Sequence, residues 1–306
     1  MPSDSMRTRF GTVVSELLET EPRLAVVLAD IGVDRFLRAY QRHPDRVVNV
    51  GIREQLMVNV AAGMALEGMR TIAHTFAPFL IERSFEQVKL GFSHQGVGGI
   101  LVSAGGTYDV AAYGRTHQTA ADVALIATLP GWRIHLPGHP DEAEALIRDA
   151  VTSDDAVYIR LSEQQNAAPQ PVDGGRLVTT RRGSVGAPTV LAVGPMLDAV
   201  TEATAALDAT VLYAATVRPF DAAGLRSAVS GADVILVEPV IEGTSAAAVT
   251  AALDDRPHRL LSIGVPNVEH RKYGSAARHN QAHGLDAEGL RARISAWLQR
   301  VPATVG

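Results

Sequence analysis

The chain has 306 residues, no cysteine and a formal net charge of −5, with a sequence pI near 6.1. That balance offers no basic field to a polyanion and no Lys/Arg run stands out, so nucleic acid is a poor partner class. Without Cys there is no disulfide, thiolate metal site or Cys nucleophile, and covalent chemistry must come from another group or from a cofactor.

Residues 1–10 are polar and lack the apolar core of a signal peptide. No apolar run reaches the roughly 18 residues of a membrane span, so a soluble, cytoplasmic protein is expected. Short β-branched runs then alternate with helical patterns. Strands are predicted over 24–29, 46–50, 71–76, 99–104, 132–136 and 157–161. Helices are predicted over 54–66, 79–90 and 141–151, the last opened by His139-Pro140-Asp141. This alternation predicts an α/β fold, a doubly wound, mostly parallel sheet over residues 1–165. Residues 166–188 collect Pro169, Pro171, Gly174, Gly175, Gly183, Gly186 and Pro188 and read as a linker. A smaller α/β domain follows over 189–306. Its strands are predicted at 189–193, 210–214, 233–237 and 259–263, and its helices at 196–207, 222–229, 245–253 and 287–298.

Glu54, in Gly51-Ile52-Arg53-Glu54-Gln55, starts a helix that is apolar on nearly every face. The helix is therefore expected to be buried, with its first turn at the rim of an internal site where a carboxylate could relay a proton. A first-turn Glu is also what the helix dipole favours without any catalytic role. Phe76 and Phe79 suit a stacking surface, although ordinary core packing is the commoner reason for two Phe three apart. His117 follows a Gly-rich approach over 105–115, which reads as a loop beyond a strand end, where α/β sheets place ligands. A lone His is otherwise more often structural. Asp30 closes the first strand and could equally cap a turn. No Rossmann or Walker phosphate loop is present.

In order, Gly51 to Gln55, Ala61-Ala62-Gly63, Thr75-Phe76-Ala77-Pro78-Phe79, Arg83, Gln87 and Thr116-His117-Gln118 resemble the pyrimidine-binding domain of transketolases and their thiamine-diphosphate relatives. Residues 7–162 carry that resemblance. Residues 188–298, with Val217-Arg218-Pro219-Phe220-Asp221, Val237-Glu238-Pro239 and Gly284-Leu285-Asp286, resemble the family's C-terminal domain. The resemblance implies thiamine diphosphate as cofactor. It also implies that Glu54 holds N1′ of the aminopyrimidine, that the ring lies against Phe79 with Phe76 and Asp30 nearby, and that His117 is a catalytic imidazole facing the substrate. The family's Gly-Asp-Gly and Asn elements, which bind the diphosphate and Mg²⁺, have no counterpart in this sequence. No metal ligand is therefore assigned here. The chain resembles the C-terminal subunit of a split transketolase, which transfers a two-carbon ketol unit. That implies an N-terminal partner subunit carrying the diphosphate and Mg²⁺ elements, in a homodimer of heterodimers.

The departures concern substrate. Before Thr-His-Gln the family has Gly-Glu-Asp-Gly-Pro, where this chain has Ala111-Ala112-Tyr113-Gly114-Arg115, so Tyr113 replaces a hydroxyl-binding Asp beside Arg115. A substrate-contacting His aligns with Gly105. A phosphate-gripping Arg is Glu163, and a small hydroxyl residue is Asp34, while Arg7 retains a basic contact. The acceptor is accordingly expected not to be a simple phosphorylated sugar. A β subunit of a 2-oxoacid dehydrogenase shares the two-domain layout. A non-catalytic scaffold of this fold would also lose substrate residues, but retention of Glu54 and Phe79 favours an enzyme.

Overall fold

The computed structural model describes residues 5–269 and 271–300. The outer ends of the two expected domains, 1–4 and 301–306, lie outside them. Twelve strands form: β1 (Leu24–Leu28), β2 (Val47–Asn49), β3 (Arg70–Phe76), β4 (Gly99–Ala104), β5 (Arg133–His135), β6 (Ala156–Arg160), β7 (Val178–Arg181), β8 (Thr189–Val193), β9 (Thr210–Ala214), β10 (Thr216–Arg218), β11 (Asp233–Ile241) and β12 (Arg259–Val265). The helices are α1 (Met6–Thr20), α2 (Val33–Arg42), α3 (Glu54–Leu66), α4 (Phe85–Val88), α5 (Asp122–Ile126), α6 (Pro140–Thr152), α7 (Leu197–Ala203), α8 (Ala222–Ala228), α9 (Ala246–Ala252), α10 (Ala276–His283) and α11 (Ala287–Leu298).

A seven-stranded sheet runs in the order β10-β5-β6-β4-β3-β1-β2 and a five-stranded sheet in the order β12-β11-β8-β9-β7. All pairs are parallel except β10 with β5 and β7 with β9, so the fold is mostly parallel α/β. Strands β1, β3 and β4 are buried along their whole length. The near-continuous apolar runs of β1 and β4 are what a parallel sheet covered on both faces requires, whereas β3 also buries Arg70, Thr71, His74 and Thr75. Helix α1 opens on Ser5, whose Oγ accepts from Thr8 N–H at 3.1 Å. It buries Met6, Phe10, Val13, Val14, Leu17 and Leu18 against one face of the first sheet.

Four features differ from the sequence reading. Segment 166–188 is not wholly irregular, because Val178–Arg181 forms β7 on the edge of the second sheet. β10, from the C-terminal half, pairs with β5 of the first sheet. The expected helix over 79–90 resolves into a π-helical turn at Pro78–Glu82, the short α4, and a second π-helical turn at Lys89–His94. Helix α3, expected to be buried all round, buries Glu54, Met57, Val58, Ala61 and Ala62. Its other face leaves Leu56 43% and Leu66 53% exposed. An apolar sequence signals exclusion of water, and on that face this chain alone does not supply it. Among the described residues no helix is long and apolar enough to cross a membrane.

Candidate active site

The chain leaves β1 for β2 at one edge and returns to β3 on the other side of β1. The carboxyl ends of β1 and β3 thus flank the point where the strand order reverses, the place where an open α/β sheet forms a crevice. Four elements deliver side chains there: Arg7 from α1, Glu54 from the start of α3, Phe76 from the last position of β3, and Phe79 from the π-helical turn that follows. Such turns recur at functional sites because they displace side chains from the ordinary helical rows.

Glu54 is the first residue of α3 and is 2% exposed. Its Oε2 accepts from Arg83 Nη1 at 2.7 Å, and the same guanidinium lies over the Phe79 ring, 4.2 Å from its centroid. His117 packs edge-on against Phe79 at 5.0 Å and Phe76 at 5.8 Å. Tyr113 tilts over His117 at 4.9 Å, and Arg7 covers Phe76 at 5.2 Å. Glu54, Phe76, Phe79, His117, Tyr113 and Arg7 therefore share one aromatic cluster, joined by Arg83. Burial, with the Arg83 charge second, holds the His117 pKa below its ordinary value. That shift favours the uncharged ring, and Nδ1 lies 2.9 Å from Thr116 Oγ1.

Gly105 has φ +65°, and a Cβ built on it would stand 2.9 Å from Phe76 Cδ1. Phe76 thus fills the room that a side chain at 105 would need, and no imidazole can project there without moving the ring. Glu163 is placed by a clamp. Asp109 accepts from Ser162 Oγ at 2.9 Å, Glu163 N–H at 3.0 Å and Gln164 Nε2 at 3.1 Å. This holds the 162–164 turn while the Glu163 side chain stays exposed. Burial pushes the Asp109 pKa up against these bonds.

Electrostatically, Arg7 faces both signs. Burial first and Arg35 second depress its pKa, while Asp34 and Glu163 oppose them. Asp34 is ion-paired with its neighbour Arg35 at 2.7 Å. Beneath them His74 is fully buried, its Nδ1–H donating to Val102 O at 2.7 Å.

Two candidates stand apart from both the ring cluster and the charges around Arg7. Asp30, at φ +64°, bonds Asn49 through both its backbone N–H and its carboxylate. Arg115 donates to Gln118 O at 2.7 Å and pairs with Glu269 at 3.2 Å. Arg35, His74 and Asp109 escaped the sequence reading. His74 and Asp109 find their partners on β4 and the 162–164 turn, and Arg35 pairs with Asp34 while its charge acts on Arg7 of α1, so no local motif announces their grouping. Among the described residues no group of three His, Asp or Glu side chains could hold a metal ion.

Residues 3–168 match the family described as transketolase, pyrimidine binding domain. An uncharacterized 33.6 kDa protein in the fasciation locus of Rhodococcoides fascians is 50% identical over 297 residues, spanning 96% of this chain and 95% of that protein. The 1-deoxy-D-xylulose-5-phosphate synthase of Thioalkalivibrio sulfidiphilus (strain HL-EbGR7) is 29% identical over 317 residues. That match covers 100% of this chain and 49% of the synthase, so the chain spans about half of that relative's length. A solved structure described as a split gene transketolase, inactive beta4 tetramer, superposes with a TM-score of 0.82 over 97% of this chain and 99% of that one. At 24% sequence identity that likeness concerns the fold.

Proposed function

The chain belongs to the transketolase family through its pyrimidine-binding domain, and from that premise we propose that it is the C-terminal subunit of a two-component, thiamine-diphosphate-dependent transketolase. In this reading 1–165 is the pyrimidine-binding domain, 166–188 the linker and 189–306 the C-terminal domain. The observation that carries it is the cluster of buried Glu54 with half-buried Phe79 and His117 at the sheet's switch point.

These residues suit the cofactor on chemical grounds. A buried carboxylate stands beside an aromatic face, and that pair already accommodates a flat, nitrogen-edged cation, the Arg83 guanidinium. Thiamine diphosphate supplies a nucleophilic carbon that accepts and passes on a two-carbon ketol unit. Glu54 would hold N1′ of the aminopyrimidine, Phe79 and Phe76 would line its ring, and Asp30 would lie on the cofactor side. His117, neutral and set among the rings, would exchange a proton with a substrate oxygen. Tyr113 and Arg115 would border the substrate with Arg7, Asp34 and Glu163.

The diphosphate and Mg²⁺ would be held by an N-terminal partner subunit, in a homodimer of heterodimers in the cytoplasm. The missing Gly-Asp-Gly and Asn elements and the open apolar face of α3 support that assembly. The mixed charge around Arg7 supports an acceptor other than a simple phosphorylated sugar.

Titration calorimetry with thiamine diphosphate and Mg²⁺ tests this reading. Binding is expected only once the partner subunit is added, followed by cofactor-dependent cleavage of a ketose donor. Micromolar or tighter binding by this chain alone would overturn the two-component assignment. A saturated mixture that cleaves no donor would overturn the enzymatic one.

A further inference from the structure

Arg83 is engaged in a way that the ketol-transfer reading leaves unexplained. Its guanidinium bonds Glu54 at 2.7 Å and simultaneously lies 4.2 Å over Phe79. Those are the two surfaces that the proposed function gives to the aminopyrimidine. The geometry is built in. Phe79 and Arg83 are four residues apart on the π-helical segment, where Arg83 N–H donates to Pro78 O at 3.0 Å. Gln55 Nε2 reaches Arg83 O at 3.4 Å, tying this backbone to the turn that carries Glu54. A guanidinium is planar, edged by N–H donors and able to stack on an aromatic face. In shape and edge chemistry it resembles an aminopyrimidine.

The two partners of the pair are unequally placed. The Glu54 side chain is 3% exposed, whereas that of Arg83 is 42% exposed. Only Arg83 has a solvent side into which it can turn. A carboxylate stripped of its partner inside the protein is strongly disfavoured, so Arg83 should leave when another donor arrives rather than before.

Resting on the ketol-transfer reading, we propose that Arg83 is an internal placeholder for the cofactor's aminopyrimidine ring, a positioning residue that holds Glu54 and the Phe79 face ready and is exchanged for the ring on loading. Loading is then a swap of one flat nitrogen-edged group for another. It exposes no bare carboxylate and separates Arg83 from His117. Before exchange Arg83 competes with the ring, so the chain resists the free pyrimidine.

The test uses the full chain alone, with 4-amino-5-hydroxymethyl-2-methylpyrimidine and methylguanidinium as probes. Thermal shift and calorimetry are followed in wild type, Arg83→Ala, Arg83→Lys and Arg83→Ala/Glu54→Gln. Arg83→Ala is expected to melt lower than wild type and to bind the pyrimidine at least about tenfold more tightly. The pyrimidine and methylguanidinium should each restore melting, and Glu54→Gln should abolish both effects. Arg83→Lys, charged but not planar, should lie between. An NMR titration of His117 gives an independent readout, with its pKa rising toward the ordinary value in Arg83→Ala. Pyrimidine binding that is no tighter in Arg83→Ala than in wild type would overturn the placeholder while leaving the cofactor reading intact. Rescue by methylguanidinium with no pyrimidine binding in any variant would likewise overturn the placeholder, while the cofactor reading stands or falls on the titration with the partner subunit.

Discussion

His74 makes the first half of the chain sensitive to acid, and the size of the effect follows from its surroundings. The ring is fully buried, packs 4.5 Å from Phe10 and donates Nδ1–H to Val102 O. Nε2 has no partner. Burial, with the charge of Arg7 second, lowers its pKa from 6.5 to about 3. Because the folded value lies below the unfolded one, the unfolded chain binds the extra proton, and stability falls as pH drops below 6.5. Each pH unit in that window costs about 1.4 kcal/mol, so lowering the pH from 7 to 5 removes about 2 kcal/mol through this ring alone. The perturbation is His74→Asn, which keeps a donor for Val102 O and removes the titration. Urea unfolding at pH 7 and pH 5 measures it. The variant is expected to be less stable at pH 7, having lost packing, but to lose about 2 kcal/mol less than wild type on going to pH 5. Equal losses in the two proteins would refute the assignment.

Glu54→Gln should keep the fold and lower donor turnover in the reconstituted mixture by at least about 10²-fold, the lower range for a positioned proton-transfer group; unchanged turnover at saturating cofactor would reject its role. Burial raises the pKa of Glu238 to about 7. Its stabilising neutral form is lost as pH climbs from 4.5 through 7, so Glu238→Gln should gain stability relative to wild type at pH 8 compared with pH 5, measured by calorimetry. Glu163→Arg should favour phosphorylated acceptors. A unit charge pair near 4 Å is worth about 4 kcal/mol at an effective dielectric of 20, and a screened third of that is about tenfold in affinity. Comparing ribose 5-phosphate with unphosphorylated and amino-substituted acceptors checks this. A wild type that prefers the phosphate ester, unchanged by the substitution, contradicts the charge argument.

Much of the architecture was legible because punctuation and period agreed. Strands 99–104, 189–193 and 210–214 and helix 54–66 begin and end where expected, and all but 210–214, which lies between Ala209 and Ala215, are bounded by Gly, Pro or polar residues. β10, three residues long, carries too little pattern to say which sheet it joins. The π-helical turns differ from an α-helix by one residue per turn, which an apolar stripe does not resolve. For the site, sequence named Glu54, Phe76, Phe79 and His117, and the fold brings them together. The bond from Arg83 to Glu54 spans 29 positions and depends on that π-helical turn. The grouping of Arg7, Arg35 and His74 depends on how α1 and α2 lie over β3, a tertiary arrangement that local spacing does not encode.

In the proposed assembly helix α3 would join the site to an interface between subunits, and that link is open to test. Its first residue is Glu54, and one face of it packs Met57, Val58, Ala61 and Ala62 into the core. The opposite face presents Leu56 and Leu66, and Leu90 is also exposed on the second π-helical turn. In the proposed homodimer of heterodimers a second copy of this chain covers that face. Leu66→Glu removes no core contact of the single chain, so it should change folding stability by no more than about 0.5 kcal/mol. At a covered apolar interface, however, it would bury an unpaired carboxylate, which association does not tolerate. Light scattering is expected to show smaller particles, while far-UV circular dichroism and the urea midpoint remain those of wild type. An unchanged mass would show that this face is not covered by a second copy, and a lost urea transition would show that Leu66 supports the chain's own core.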